Sequence, residues 1–311
     1  MLRLFLTSLL LCGGVFFPAQ VFAQEVAKIA TPAKANTDIV YQQIRQRSSS
    51  VEAFNGQVAT VNGVTLKRET ATFKFNSGEI YFLTPVEGRS IGAVFLGSGE
   101  MILAPSTEAE KRSLAIFTGQ GVMSENFNRL VMRFTDQTLQ EIKQMPGVQI
   151  SATGNQAARA RDVYRDTETL MRKEVHYNVD LRTLGDIYAP DRPGFFFAFP
   201  GGGKFDKLGY FIDPLGIDEI SPEQVALYCF NSSEGGIWTA AHLESEIQKG
   251  TAHNGTDRRL YDITHHDIGG TIRGTRIVAT DRVTLRALTS GTRVLPFDLY
   301  RTLRVSRVKD E

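Results

Sequence analysis

Apolar and polar positions alternate most regularly between Ala71 and Pro105, and the rest of the chain is read outward from that stretch. Phe73 and Phe75 fall on one face with Lys74 on the other, and Ile80 with Phe82 repeats the period of two. Ile91, Ala93 and Phe95 do so again, followed by Met101 and Leu103. Asn76-Ser77-Gly78, Pro85 to Gly88 and Gly97-Ser98-Gly99 break the alternation with residues suited to turns. The pattern predicts an antiparallel β-meander of short strands turning at those three points. Gly56 to Leu66, with Asn62-Gly63 inside it, reads as a strand pair or one bulged strand leading into the meander. Before it, Asn36-Thr37-Asp38 can cap a helix carrying Ile39, Val40 and Ile44, expected to lie on the meander.

Downstream, Thr107-Glu108-Ala109-Glu110 has capping-box form and opens a helix expected to stop at Gly119. Leu130, Met132 and Phe134 predict a strand, and Leu139 with Ile142 a short helix ending before Pro146-Gly147. From Ala157 to Val175, Ala160, Val163, Tyr164, Thr167, Leu170, Met171 and Val175 share one helical face, with charge on the other. A second helical patch holds Leu181, Leu184, Ile187 and Tyr188. The apolar runs Phe195 to Phe199 and Leu208 to Ile212 predict a buried hairpin around Gly201-Gly202-Gly203-Lys204. Glu223 to Phe230 follows as a strand, and a segment from Ile237 turns helical around His242 to Gln248. Lys249 to Asp257 is polar enough for a boundary. Beyond it Tyr261, Ile263, Ile268, Ile272, Ile277, Val283, Leu285, Val294, Phe297 and Leu299 recur in short alternating runs split by glycine pairs.

The fold class expected is therefore α+β, an antiparallel meander with packed helices followed by a partial all-β segment. The latter is thin for a sandwich, which usually takes ~100 residues. The expected divisions are 1–23, a leader; 24–55, a linker and N-terminal helix; 56–250, the α+β domain; and 251–311, the partial sandwich.

Composition narrows the picture. Arg3 before the apolar run Leu4 to Phe17, then Val21-Phe22-Ala23, has the form of a signal peptide cleaved after Ala23, so a periplasmic or secreted location is expected. No later stretch reaches the ~20 apolar residues of a membrane span. Cys12 leaves with the leader and Cys229 remains alone, which excludes an intramolecular disulfide in the mature chain. The 35 basic and 34 acidic residues become 34 and 34 once Arg3 is removed, a balance that argues against nucleic acid as a partner. The arginines after Arg258 alternate with apolar residues and read as the solvated face of a sheet.

Catalytic chemistry is sparse. His242-Leu243-Glu244-Ser245-Glu246 has the wrong spacing for a zincin helix. His253, His265 and His266 lie among acids, but neighbours on a strand point to opposite faces, so a metal role is not expected. Gly201 to Lys204 lacks the first glycine and the hydroxyl of a phosphate loop and joins two strands. Cys229 alternates with Val225 and Leu227 on a core face, and Ser98 sits in a glycine turn. Trp238 and His242 are the candidates for a ligand groove, with a buried aromatic as the plainer reading of Trp238.

Ser77 to Leu83, Pro85 to Arg89, Gly92 to Gly97, Asp213-Pro214, Pro222 to Val225 and Trp238 together resemble the N-terminal region of large exported bacterial M1-type aminopeptidase-like proteins. Tyr261 to Ile263, Val283 to Leu285 and Leu303 to Val305 are similar to the opening strands of the saddle-shaped β domain that precedes the peptidase domain there. The family's His-Glu-x-x-His and Gly-x-Met-Glu-Asn motifs are absent from this chain, so the resemblance carries over no catalytic residue, metal or cofactor. It implies a non-catalytic accessory region, truncated or separately encoded, that binds a peptide or partner protein. An independent envelope enzyme, betrayed by a pocket converging on Trp238, His242 and several acids, and a purely structural envelope protein, without such a pocket, are the alternatives.

Overall fold

The computed structural model describes residues 39–48, 54–174, 178–189, 191–217, 220–231, 233, 235–300 and 302–309. The proposed leader and the helix cap at Asn36 to Asp38 lie outside them. Gln43–Leu295 forms one compact unit, and residues 1–42 with 296–311 the other. Helix α1 (Ile39–Ser48) crosses that division. In the second unit, 296–309 carries no described helix or strand; Leu303 donates to the Tyr300 carbonyl at 2.8 Å, and Phe297, Leu299 and Tyr300 are exposed.

The protein is α+β. Strands β1 (Phe54–Arg68), β2 (Ala71–Leu83), β3 (Gly92–Leu103), β4 (Met123–Phe134), β5 (Val148–Ser151), β6 (Phe196–Gly201), β7 (Leu208–Ile212), β8 (Val225–Cys229) and β9 (Gly236–Ala241) form one antiparallel sheet. Its order is β5-β1-β2-β3-β4-β6-β7-β8-β9. The chain runs as a meander to β4, crosses to pair β5 with the far side of β1, and returns through two helices to place β6 beside β4.

The expected turns at Asn76 to Gly78 and Gly97 to Gly99 are not turns. They lie inside two long strands, at register shifts between Phe75 and Ser77 and between Leu96 and Gly99. A residue that relieves a tight turn also relieves a bulge, and alternation alone does not separate the two. The bulges are aligned across the sheet. β1 buries Ala59 and Val61, then Val64 and Leu66; β2 buries Phe73 and Phe75, then Ile80 and Phe82; β4 buries Phe127, then Leu130 and Met132. Each changes parity at the same level of the sheet, which keeps one face apolar on both sides of a corner. At that corner Gly78 pairs with Gly97, and a Cβ on Gly97 would lie 2.1 Å from the Ser77 carbonyl oxygen, so the strands meet there only without side chains.

The corner rolls the sheet around its core. Four strand spacings separate β2 from β7, roughly 19 Å in a flat sheet, yet the Phe73 and Tyr210 rings are 6.1 Å apart. Tyr210 donates to the Arg68 carbonyl at 2.9 Å, and Lys67 meets Glu244 at 3.1 Å. Helix α2 (Glu108–Thr118) has the expected capping box and a left-handed Gly119, and adds Leu114 and Phe117 to the core. Helix α3 (Thr138–Gln144) adds Leu139 and Ile142. Helices α4 (Ala157–Glu174) and α5 (Val179–Tyr188) meet the other face of β4 through Arg133. There Phe195, Phe197, Phe199 and Phe211 make a second aromatic layer, which accounts for the unbroken apolar run of β6.

After the short helix α6 (Glu244–Lys249), β10 (Tyr261–Arg273) and β11 (Arg276–Ala287) pair only with each other among the described residues. The glycine pair Gly269-Gly270, expected to split two runs, lies within β10, and the turn is at Gly274-Thr275.

Candidate functional site

The glycine loop is filled from within. Glu125, buried on β4, accepts the Phe205 N–H at 2.8 Å and also the Lys204 N–H. A Cβ on Gly203 would lie 2.0 Å from the Asn126 carbonyl oxygen and 2.2 Å from Glu125 Oε1. The amides that a phosphate would need are thus turned onto the protein's own carboxylate. Burial pushes the Glu125 carboxyl up, while those N–H groups pull it down by less.

Trp238 and His242 do not line a common groove. Trp238 is wholly buried on β9, stacked on Phe117 at 5.2 Å with Phe205 edge-on at 5.0 Å. The Ser113 hydroxyl donates to the Trp238 carbonyl at 2.9 Å. The expected groove therefore loses its aromatic wall, because α2 arrives from elsewhere in the sequence to cover that ring. His242 is partly exposed, with Nδ1 3.2 Å from Gln224 Oε1 and 3.5 Å from Glu246 Oε2, and Nε2 3.4 Å from Asn254 Oδ1. Gln224 Nε2 donates to Glu246 at 2.8 Å, and Arg258 Nη2 reaches both Glu246 oxygens at 2.9 Å. Burial alone would raise the Glu246 carboxyl, but the Arg258 and Gln224 hydrogen bonds outweigh it and hold the group low. A carboxylate kept ionised by two fixed donors is a clasp between α6 and the following linker.

Two further polar clusters are committed in the same way. Arg133 donates to the Ile91 carbonyl at 3.0 Å, to Tyr164 at 3.2 Å and to Thr183 at 3.2 Å, and pairs with Asp180 at 3.3 Å. Arg182 grips Asp213 through Nε at 2.7 Å and Nη2 at 3.1 Å, and also bonds Asp186, which accepts from Thr135. Cys229 lies in the core as expected. Among the described residues, no group of three or more His, Cys, Asp and Glu side chains could hold a metal ion. His265 and His266 fall on opposite faces of β10, and His266 Nδ1 is 2.8 Å from Asp281 Oδ2 on β11.

The β10–β11 hairpin differs from all of these. Its register pairs Ile263 with Leu285, His266 with Val283, Ile268 with Asp281, Gly270 with Ala279 and Ile272 with Ile277, all on one face. The bulge between Ile263 and His265 switches parity and keeps that stripe continuous. The stripe is uncovered towards the turn, where Ile268, Ile272 and Ile277 are 53%, 69% and 54% exposed, and partly covered at the other end, where Ile263, His266, Val283 and Leu285 are half-buried. The opposite face pairs Asp262 with Arg286, His265 with Thr284, Asp267 with Arg282 and Arg273 with Arg276. The arginines expected on the solvated face of a sheet are there: the period of two puts Arg276, Arg282 and Arg286 on one side of β11, and the register adds what stands opposite them on β10, Arg273, Asp267 and Asp262 in turn.

No family model, curated relative or solved structure matches the chain. Among the described residues no helix is long and apolar enough to cross a membrane.

Proposed function

We propose that this chain is an exported, non-catalytic accessory region of the M1 aminopeptidase-like kind that binds a peptide or partner protein, with the β10–β11 hairpin as the surface it presents. The carrying observation is the uncovered part of that hairpin's apolar stripe, Ile268, Ile272 and Ile277. An isolated two-stranded ribbon is marginal in water, and three or more strands or a packed layer give it stability. The internal commitment of Glu125, Glu246, Arg133 and Arg182 supports the non-catalytic half, since acids and bases locked in clasps are poor proton shuttles. The burial of Trp238 removes the wall that an enzyme site at His242 would use.

The test has two arms. The purified chain, supplied with zinc, is expected to give no turnover of an aminoacyl reporter, and a random peptide library panned against it is expected to yield binders that perturb β10–β11 amides. Turnover that survives further purification, or a library that yields no binder, overturns the reading.

A further inference from the structure

We infer that the outer edge of β11 accepts an extended segment of a partner protein as a third strand, and that this segment alternates acidic with apolar residues. The inference rests on the interaction reading above and specifies its partner. Two independent observations carry it.

The first is the edge itself. Strand edges are normally blunted by proline, bulges, lysine, short length or a covering element. The main sheet follows that rule: β5 has four residues, and β9 has six and gives the Trp238 carbonyl to Ser113 of α2. In the hairpin, β10 carries the bulge at Thr264 and the pair Gly269-Gly270. β11 runs twelve residues, RIVATDRVTLRA, with no proline, glycine, lysine or bulge, and is guarded by charge alone: three arginines on one face and Asp281 on the apolar one. Its backbone is a long regular template for strand addition.

The second is charge. Side chains of one parity on β11 are Arg276, Val278, Thr280, Arg282, Thr284 and Arg286, three arginines and no acid. The same face of β10 holds Asp262 and Asp267, and Arg286 lies 3.6 Å from Asp262. On its inner side, then, β11 sets Arg282 and Arg286 opposite acids, while Arg276 stands opposite Arg273. A strand added on the outer side meets the same arginines, and cross-strand pairing favours carboxylates there. Its other parity is apolar where it extends the stripe of Ile277, Ala279, Val283 and Leu285, which Asp281, held by His266, interrupts. A second copy fits poorly, because joining two β11 edges about a two-fold axis sets the arginine columns side by side. A lipid surface fits poorly too, since the unpaired edge would find no hydrogen-bond partners in hydrocarbon.

The experiment titrates the full purified chain with two synthetic ten-residue peptides, one alternating valine with glutamate and one valine with lysine, and reads amide exchange by residue. The glutamate peptide is expected to slow exchange within Arg276–Ala287 at least tenfold, and the lysine peptide to leave it unchanged. The double variant R276E/R282E should reverse the preference, R276K/R282K should keep it, and T280P should abolish binding of the glutamate peptide. Equal affinity for both peptides, protection confined to β10 or to the main sheet, concentration-dependent dimerisation that protects β11 without peptide, or binding to anionic phospholipid vesicles but not to the glutamate peptide would each overturn the inference. Library binders that map to the hairpin's apolar stripe or to β10 but not to the β11 edge defeat this inference alone, whereas an empty library, or binders that leave the hairpin untouched, defeat the broader reading with it.

Discussion

The nine-stranded sheet and the β10–β11 hairpin are built from the same alternating pattern, yet one closes on itself and the other stays open. The difference lies in the corner. Glycine-bearing bulges aligned across neighbouring strands let the large sheet bend until Phe73 and Tyr210 touch, so its apolar face finds a partner in itself. The hairpin has one bulge, which keeps its stripe on one side but does not fold it over. Alternation makes an apolar face; a second device decides what covers it.

The sharpest way to break this comparison is to damage both regions equally. Trp238→Ala removes the largest fully buried side chain of the core, and such truncations cost about 3–5 kcal/mol. Ile277→Ala, on the open stripe, is expected to cost no more than about 0.5 kcal/mol. Because Trp238 is the chain's single tryptophan, urea unfolding should be followed by far-ultraviolet circular dichroism. Equal losses would mean that the hairpin belongs to the same cooperative unit and that its exposure is without consequence.

Much of this architecture was legible in the sequence where a local signal has one meaning. The capping box at Thr107 and the three-and-four spacing after Ala157 specify α2 and α4, and the runs around Gly201 specify the β6–β7 hairpin. Signals with two meanings failed. Asn76-Ser77-Gly78 suits a turn or a bulge, and only the strands beside it decide. Val148–Ser151 is too short to announce itself and is a strand because β1 offers an edge. The fate of Trp238 depended on Phe117, and the acids opposite Arg282 and Arg286 on a register that alternation does not supply.

A gentler probe is glycine substitution. Gly203→Ala forces a Cβ against Asn126 and Glu125, and overpacking of this kind costs about 1–3 kcal/mol. Gly269→Ala in β10 meets nothing within 4 Å; by restricting the unfolded chain it should stabilise by about 0.4–1 kcal/mol. Opposite signs in denaturant midpoints sharpen the contrast between a packed sheet and an open ribbon. A loss at Gly269 as large as that at Gly203 would show close packing on the hairpin.

The smallest expected effect concerns how acids are held in the two regions. Asp257, at the approach to the hairpin, is held down at about 2, first by the Arg259 side-chain hydrogen bond and then by the Arg259 backbone N–H. Being exposed, it contributes little that salt does not screen. Glu125 is the reverse: burial raises its carboxyl above the ordinary 4.5, so as pH rises the unfolded chain releases its proton first. Its contribution is then full below about 4.5 and is lost as pH climbs through the folded value. Glu125→Gln keeps an oxygen to accept from Phe205 but carries no charge. Relative to the wild type, the variant should be more stable at pH 7, and the gap should close as pH falls towards 4.5. Urea midpoints between pH 4 and pH 8 measure it. A gap that closes in the other direction, with the wild type the more stable at neutral pH, would mean that the Phe205 and Lys204 N–H groups outweigh burial and that the loop is a better anion cradle than its buried position suggests.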